Sequence, residues 1–245
     1  MDRPLPALEN NPPADRPDAL RRPITRDQLE RARGQILSPG RWANAVLSLF
    51  QRDGELWVVK DFRPRQFVVR STIGRLLVRR ELQALHKVAG LAGVPADAFR
   101  VDAHALAYRF IPGTTLSHAA ADRRNAEFFL AFERLLGEVH ARGIVHLDVR
   151  NGRNVLITDA GQPVLIDFQS YLGTARLPRA MRGWMERFDM AGVYKHWARH
   201  HPQTLGETRG ALLASMNRWR RLWILRGYLG VRPAAKKRTS DPGPR

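Results

Sequence analysis

Residues 143–157, GIVHLDVRNGRNVLI, place charged and amide side chains between two short apolar runs. The segment before them, AEFFLAFERLLGEVHARG, is apolar at helical spacing and predicts a buried helix that ends at Gly143. The runs NVLI and PVLIDF, joined by TDAGQ, predict a hairpin after it. A polar loop anchored by a buried helix and a hairpin is a rigid platform, so Asp148 and Asn154 are predicted to be aimed into a site.

The first half of the chain carries mainly β-strand patterns. ANAVLSLF and ELWVVKDF, joined by QRDG, predict a hairpin with an Asp-Gly turn, and ALAYRFIPG predicts another strand. Two helices are predicted here: TRDQLERARGQIL, from a Thr25 cap to just before Pro39, and LLVRRELQALHKVAGLAG. Everything after Leu172 is predicted to be helical.

This order of elements predicts an α+β fold with two lobes. A small β-rich N-terminal lobe with a preceding helix spans residues 24–112, and a larger helical C-terminal lobe spans residues 113–230, with the site in the cleft between them. The Pro-rich residues 1–23 and the basic residues 231–245 are predicted to be disordered arms.

Composition narrows the class of protein. With 245 residues, 44% of them apolar, the chain is long enough to bury a core. No apolar run approaches the roughly 20 residues that span a bilayer, and the N-terminus has no hydrophobic leader, so we expect a cytoplasmic protein. The absence of cysteine excludes disulfides and thiolate nucleophiles.

The formal net charge of +18 indicates an anionic partner, and two blocks carry much of the excess. The arginine block, residues 62–80, holds six arginines and no acidic residue, and residues 215–245 hold nine basic residues against Asp241. In the second block, Met216, Trp219 and Trp223 share a helical face that basic side chains flank, a composition typical of interfacial membrane helices. A helix packed on the C-terminal lobe with a solvated basic side is the alternative.

These motifs, in this order, resemble the protein-kinase-like superfamily over about residues 38–200, and within it the bacterial kinases of lipopolysaccharide core sugars (Kdo or heptose). The resemblance implies that Lys60 in VVKDF holds the ATP phosphates and that Glu81 in RRELQALHKV pairs with it. In HLDVRNGRN, Asp148 would be the base that orients the acceptor hydroxyl, and Asn154 a magnesium ligand. Asp167 in LIDFQS would be the principal magnesium ligand.

Three further positions have alternative interpretations. Arg150 lies where a catalytic loop often carries a cation near the γ-phosphate, although a solvated arginine is the alternative. The resemblance makes His146 a structural residue. It also makes Asp189 a support beneath the loop, with a helix N-cap as the alternative.

The sequence departs from the family pattern at several positions. Five residues separate Asp148 from Asn154, one more than usual, and Gln169 replaces the glycine after Asp-Phe. Gly40 is the only glycine where a glycine-rich loop is expected, so Asn44 is a further candidate for phosphate contact. Leu147 replaces the arginine that receives an activation-loop phosphate, which argues against a regulated protein kinase.

The resulting hypothesis is an ATP- and Mg²⁺-dependent kinase that phosphorylates a sugar hydroxyl of the lipopolysaccharide core at the cytoplasmic face of the inner membrane. The predicted partners are an anionic glycolipid and, through the basic C-terminal region, an anionic membrane; no nucleic acid is expected. The arginines of the arginine block are candidates for acceptor or lipid contact (Arg63, Arg65, Arg70, Arg75, Arg79 and Arg80). The alternatives are an atypical Ser/Thr protein kinase and a catalytically weak pseudokinase scaffold.

Overall fold

The computed structural model describes residues 24–31, 35–39 and 44–222, which form two units. The first unit contains the chain up to Pro112 together with Ile166–Tyr171, and the second contains Gly113–Leu165 and the chain from Leu172 onward. Ile166–Tyr171 thus belongs to the first unit although both flanking segments belong to the second. The two predicted disordered arms lie outside the described residues.

The first unit is built on a five-stranded antiparallel sheet in the order β1-β2-β3-β5-β4. At its centre the predicted hairpin is present, with Asp53 and Gly54 at φ values of 51° and 79° in the tight turn. This left-handed geometry is the one that an Asp-Gly turn supplies with little strain. The strands are β1 Gln35–Ser38, β2 Val46–Arg52, β3 Glu55–Asp61, β4 Phe99–Arg100 and β5 Ala105–Arg109.

The first predicted helix is shorter than its pattern suggested. Helix α1 covers only Arg26–Arg31, and Gln35–Ser38 pairs with β2 as strand β1. The prediction of one helix through Leu37 is therefore wrong, because this segment forms the sheet's edge and takes its backbone hydrogen bonds from β2.

The second predicted helix is present as α3, Arg75–Lys87, but it ends at Lys87, before the VAGLAG segment that the prediction included. A short turn, α2 Phe67–Val69, and a π-helical turn, Arg70–Gly74, lead into it. Val78, Glu81 and Leu85 lie at helical spacing on α3 and are all buried, so one face of the helix packs into the unit.

The second unit is centred on α4, Ala126–Ala141, as the sequence predicted. Asn125 caps the helix by accepting a hydrogen bond from the Phe128 N–H at 2.9 Å, and Gly143 follows its end at a φ of 73°. Phe129 is fully buried and stacks on Trp197 at 5.5 Å between ring centroids, which fixes α4 against α5. Burying a phenylalanine contributes roughly 1.5–3 kcal/mol.

The predicted second hairpin is present but its second strand is short. Strand β9 ends at Leu165; Asp167 then adopts a left-handed conformation and Phe168–Ser170 forms a 3₁₀ turn. Helices follow, as predicted, after the two-residue strand β10. The remaining elements are β6 Thr114–Thr115, β7 Ile144–Val145, β8 Val155–Ile157, β9 Pro163–Leu165, β10 Leu172–Gly173, α5 Arg179–His200 and α6 Glu207–Leu222.

The predicted α+β class, with a β-rich first part and a helical second part, is confirmed by these elements. In the described part of the chain, no helix combines the length and apolar character needed to cross a membrane.

Candidate functional site

In the first unit, Lys60, Glu81 and Asp167 form one ion-paired cluster. The Lys60 ammonium lies 2.7 Å and 2.9 Å from the two Glu81 carboxylate oxygens and 2.7 Å from Asp167 Oδ1. Lys60 and Glu81 are buried, whereas the Asp167 side chain is 38% exposed. Sequence reasoning placed all three in one site, and the structure brings them into direct contact across three separate segments of the chain.

The elements of this unit explain why the charges meet in the interior. Lys60 follows Val58 and Val59 at the buried end of β3, and Glu81 lies between Val78 and Leu85 on the core face of α3. Apolar residues would fill both positions at less desolvation cost. A lysine and a glutamate persist there only as a paired, hydrogen-bonded unit, which is weak evidence for stability and stronger evidence for a function.

The cluster keeps Lys60 charged. Burial alone would lower the pKa of Lys60, but the carboxylates of Asp167 and Glu81 outweigh that effect, so its net pKa is raised. Burial raises the pKa of Glu81, with the nearby Asp167 carboxylate adding to the effect and the Lys60 ammonium opposing it. Asp167 is the member that solvent reaches, so the cluster presents a partly accessible carboxylate beside a permanent cation.

Asp167 owes its position to the turn that follows β9. Its φ and ψ of 67° and 63° lie in the left-handed region, which aspartate tolerates better than most residues. Phe168, fully buried, anchors the next position.

Arg80 on α3 hydrogen-bonds the segment that follows Asp167. Its guanidinium donates to the carbonyl oxygens of Gln169, at 3.3 Å, and Tyr171, and lies 5.3 Å from the centre of the Tyr171 ring. The Tyr171 hydroxyl in turn donates to Gln83 on α3 at 3.3 Å. Sequence reasoning treated Arg80 only as an acceptor or lipid contact; its observed partners are backbone carbonyls, for which no sequence pattern exists.

In the second unit, Asp148 and Asn154 are joined within the polar loop, residues 146–154. Asn154 donates to Asp148 Oδ2 at 2.7 Å and to the Asp148 carbonyl at 3.2 Å. The extra residue of the loop is accommodated by two successive turns, in which the Asn151 N–H bonds the Asp148 carbonyl and the Asn154 N–H bonds the Asn151 carbonyl. Asn154 is buried directly before β8, whereas Asn151 is exposed.

Asp189, buried in the middle of α5, supports the polar loop from within the unit. Its carboxylate accepts hydrogen bonds from the backbone N–H groups of His146 at 2.7 Å and Leu147 at 2.9 Å, and from His140 Nε2 at 3.1 Å. Leu147 has a φ of 65°, an uncommon conformation for leucine, and these bonds offset its cost. The N-cap alternative for Asp189 is wrong, because α5 begins ten residues earlier at Arg179.

The same helix packs closely beneath the loop. A Cβ added at Gly192 would lie 2.9 Å from the Val149 Cβ and 3.1 Å from the Arg150 nitrogen, so only glycine fits there. Lys195 donates to the Arg150 carbonyl at 3.0 Å, and His196 Nε2 donates to the Val149 carbonyl at 3.1 Å. Burial lowers the pKa of His196 to about 4, with the nearby Lys195 ammonium adding to the effect.

Two predicted site residues, Arg150 and Asn44, form other contacts in the structure. Arg150 donates to Asn217 on α6 at 3.2 Å and, at 3.5 Å, to the Ala191 carbonyl on α5, so its role near the γ-phosphate stays a prediction. Asn44 is exposed, and its carbonyl accepts a hydrogen bond from Arg65 at 2.7 Å. Gly40 lies outside the described residues, and phosphate contact by Asn44 or Gly40 stays a prediction.

Asp167 of the first unit and Asn154 of the second carry oxygen donors of the kind that magnesium accepts. Magnesium prefers oxygen ligands and is usually held by one or two carboxylates together with substrate phosphates. Asp167 offers an accessible carboxylate and Asn154 an amide oxygen. Among the described residues, no group of three or more His, Asp or Glu side chains is placed to hold a metal ion.

Comparison with known proteins identifies the fold. No known protein-family profile matches the chain, and no curated protein sequence matches it. Among solved structures it is similar to the Rio2 kinase of Chaetomium thermophilum, determined as an ADP/Mg²⁺-phosphoaspartate complex. The TM-score is 0.50 and the sequence identity 16%, over 75% of this chain and 69% of that chain. The protein therefore has a protein-kinase-like fold.

Proposed function

We propose that this protein is an ATP- and Mg²⁺-dependent phosphotransferase with an alcohol group as acceptor. The observation that carries the proposal is the buried Lys60 ammonium, held by the Glu81 carboxylate and touching the more exposed Asp167. Such a cluster costs desolvation energy in a core, and it suits a nucleotide whose phosphates need a fixed cation and a metal-binding carboxylate beside it. The protein-kinase-like fold supports phosphoryl transfer in general.

Each cluster has a distinct task in this reaction. Lys60, oriented by Glu81, holds the α- and β-phosphates, and Asp167 and Asn154 are the residues that would hold magnesium. When bound, magnesium supplies charge neutralisation on the phosphates. Asp148, fixed by Asn154, orients the acceptor hydroxyl and receives its proton. The acceptor oxygen bonds to the γ-phosphorus as the bond from that phosphorus to the bridging oxygen breaks, and ADP leaves.

For the acceptor we propose a sugar hydroxyl of the lipopolysaccharide core, phosphorylated at the cytoplasmic face of the inner membrane. Two features support this choice: the resemblance of the motifs to kinases of core sugars, and the net charge of +18. A cationic protein attracts a substrate rich in phosphates and carboxylates and disfavours small cationic acceptors. Peripheral contact between the basic C-terminal region and anionic lipid belongs to the same proposal.

Mass spectrometry of the acceptor tests this proposal. Purified core oligosaccharide and, in parallel, a generic protein acceptor are incubated with Mg-ATP and either the wild-type protein or Asp148→Asn. We expect one added phosphate on the sugar with the wild type and at least a hundredfold less with the variant, because general-base and positioning effects are worth about 10²–10⁴-fold. Phosphate on the protein acceptor alone would favour an atypical protein kinase, and phosphate on neither would favour a pseudokinase scaffold.

A further inference from the structure

Exposed aliphatic side chains form a row across the start of α3. Val68, Ile73 and Leu76 are 69%, 45% and 56% exposed. Val68 and Ile73 are five residues apart, which is the hydrogen-bond spacing of the π-helical turn between them, and Leu76 follows Ile73 by three residues. These spacings place all three along one face, and Phe67, 70% exposed, adjoins the row. Exposed apolar groups in a contiguous row indicate an interaction site.

Two arginines border this row and are available for a ligand. Arg75 and Arg79 are exposed, and Arg79 lies three residues after Leu76 on the same face of α3. Neither forms a hydrogen bond or ion pair with another residue in the part of the chain that the structure describes.

Other arginines of the arginine block are already engaged within the first unit. Arg63 pairs with Glu30 at 2.8 Å, Arg65 donates to the carbonyls of Pro39 and Asn44, and Arg80 holds the chain beyond Asp167. Arg75 and Arg79 can therefore contact an external anion without breaking a contact to another residue that the structure describes.

We propose that this face of the arginine block docks the protein onto a lipid bilayer that contains anionic lipids. Interfacial helices bury apolar side chains about 5–10 Å into the boundary between headgroups and acyl chains, while arginines reach up to the phosphates. In this proposal the exposed side chains of Val68, Ile73 and Leu76 insert into the bilayer. Arg75 and Arg79 contact the lipid headgroups. This surface belongs to the first unit and is distinct in sequence from the basic C-terminal region.

Charge favours a bilayer over other partners. The block contains no acidic residue, so two copies joined through this face would set arginines against arginines. An anionic membrane offers phosphates and an apolar layer at fixed depths, matching the arginines and the aliphatic row together. This inference concerns binding alone and is measured without ATP, so its failure is separable from failure of the proposed phosphotransfer.

A single-cysteine probe tests insertion directly, because the native sequence contains no cysteine. Ile73→Cys in the full-length chain is labelled with an environment-sensitive fluorophore and titrated with phosphatidylcholine vesicles, with or without 30% phosphatidylglycerol. The matched control is Met181→Cys on α5, where the native side chain is 52% exposed. We expect a blue shift and an intensity increase at position 73 with phosphatidylglycerol, and no change at position 181.

Vesicle co-sedimentation of unlabelled protein measures the electrostatic contribution. One arginine near an anionic surface changes binding by roughly fivefold, so Arg75→Glu with Arg79→Glu should weaken the partition coefficient by at least about 25-fold. The control pair Arg134→Glu and Arg176→Glu changes two exposed arginines of the second unit by the same net charge and should weaken it less than fivefold. Melting temperatures verify that each variant folds.

Three results would overturn the inference. The first is a silent probe at position 73 while the full-length protein still sediments with vesicles, which would assign binding to another surface. The second is an equal loss of partition in the two arginine pairs, which would indicate attraction by net charge alone. The third is concentration-dependent dimerisation that the Arg75→Glu and Arg79→Glu pair abolishes, which would assign the face to a second copy.

Discussion

A single buried carboxylate, that of Asp189, fixes the geometry of the polar loop. It accepts two backbone N–H groups and one histidine N–H, so each of its oxygens has a donor facing it. A left-handed backbone conformation at a leucine costs roughly 1–2 kcal/mol. The hydrogen bond from the Leu147 N–H to the Asp189 carboxylate stabilises that conformation.

Asp189→Asn should therefore damage the loop although it preserves size and shape. The new amide nitrogen would face a donor, leaving at least one buried N–H without an acceptor, at a cost of about 1–3 kcal/mol. We expect that loss in denaturant unfolding, together with a fall in phosphate-transfer kcat larger than any change in ATP affinity. Asp159→Asn, at a side chain 92% exposed, should change neither quantity. Unchanged stability in Asp189→Asn would contradict this role.

Sequence patterns alone identified some residues of the candidate site and left the roles of others unassigned. Five residues lie on elements whose order and spacing follow a known pattern, so they could be proposed together: Lys60, Glu81, Asp148, Asn154 and Asp167. Their ion pairs and hydrogen bonds are consistent with those assignments.

Arg80 could not be assigned in this way. Its partners are the backbone carbonyls of residues 89 and 91 positions away, and backbone acceptors leave no trace in residue type. Arg150 could not be assigned for a different reason: its side-chain partner Asn217 lies on a helix that the sequence placed only approximately.

At the scale of elements, α5 is the platform for the polar loop. Asp189, Gly192 and His196 lie at helical spacing, so they share the face of α5 that contacts the loop. The Asp189 carboxylate and the His196 imidazole hydrogen-bond the loop backbone, and Gly192, which has no Cβ, allows the loop to pack closely. His196 must be neutral there, because it is buried beside Lys195 and its pKa is lowered to about 4.

Acid should weaken this packing over a defined pH range. The unfolded chain binds a proton at His196 below about pH 6.5, whereas the folded chain binds it only below about pH 4. The stability that neutral His196 contributes is therefore fully present above pH 6.5 and is lost as the pH falls towards 4. We expect a loss on the order of 2–3 kcal/mol, measured by urea unfolding at several pH values. His196→Gln, which retains an N–H donor, should flatten that part of the curve. Identical pH profiles would contradict a neutral buried His196.

Long elements were predictable and short strands were not. The two hairpins and helices α3 and α4 carry their own turn signals and hydrophobic periodicity, so local sequence specifies them. Strands β4, β6, β7 and β10 have two residues each, too few to show a pattern of their own, and form because a partner strand satisfies their backbone groups. Strand β1 was mistaken for helix for the same reason.

At the scale of the whole molecule, the chemistry is divided between the two units. The first holds Lys60, Glu81 and Asp167, and the second holds Asp148 and Asn154. The proposed phosphotransfer needs both sets, since the first would position the nucleotide and the second would orient the acceptor hydroxyl. The return of Ile166–Tyr171 to the first unit places Asp167, the proposed metal ligand, in that unit.

Calorimetric titration of ATP, with and without magnesium, separates a working nucleotide site from a structural ion cluster. We expect the wild type to bind Mg-ATP, and Lys60→Met to weaken binding at least tenfold because the phosphates lose their buried cation. Asp167→Asn should weaken binding of Mg-ATP while leaving metal-free ATP within about threefold, since only the metal contact is removed. Asp159→Asn serves as the exposed control. Equal ATP affinity in all four proteins, with or without magnesium, would contradict a nucleotide site at the lysine cluster.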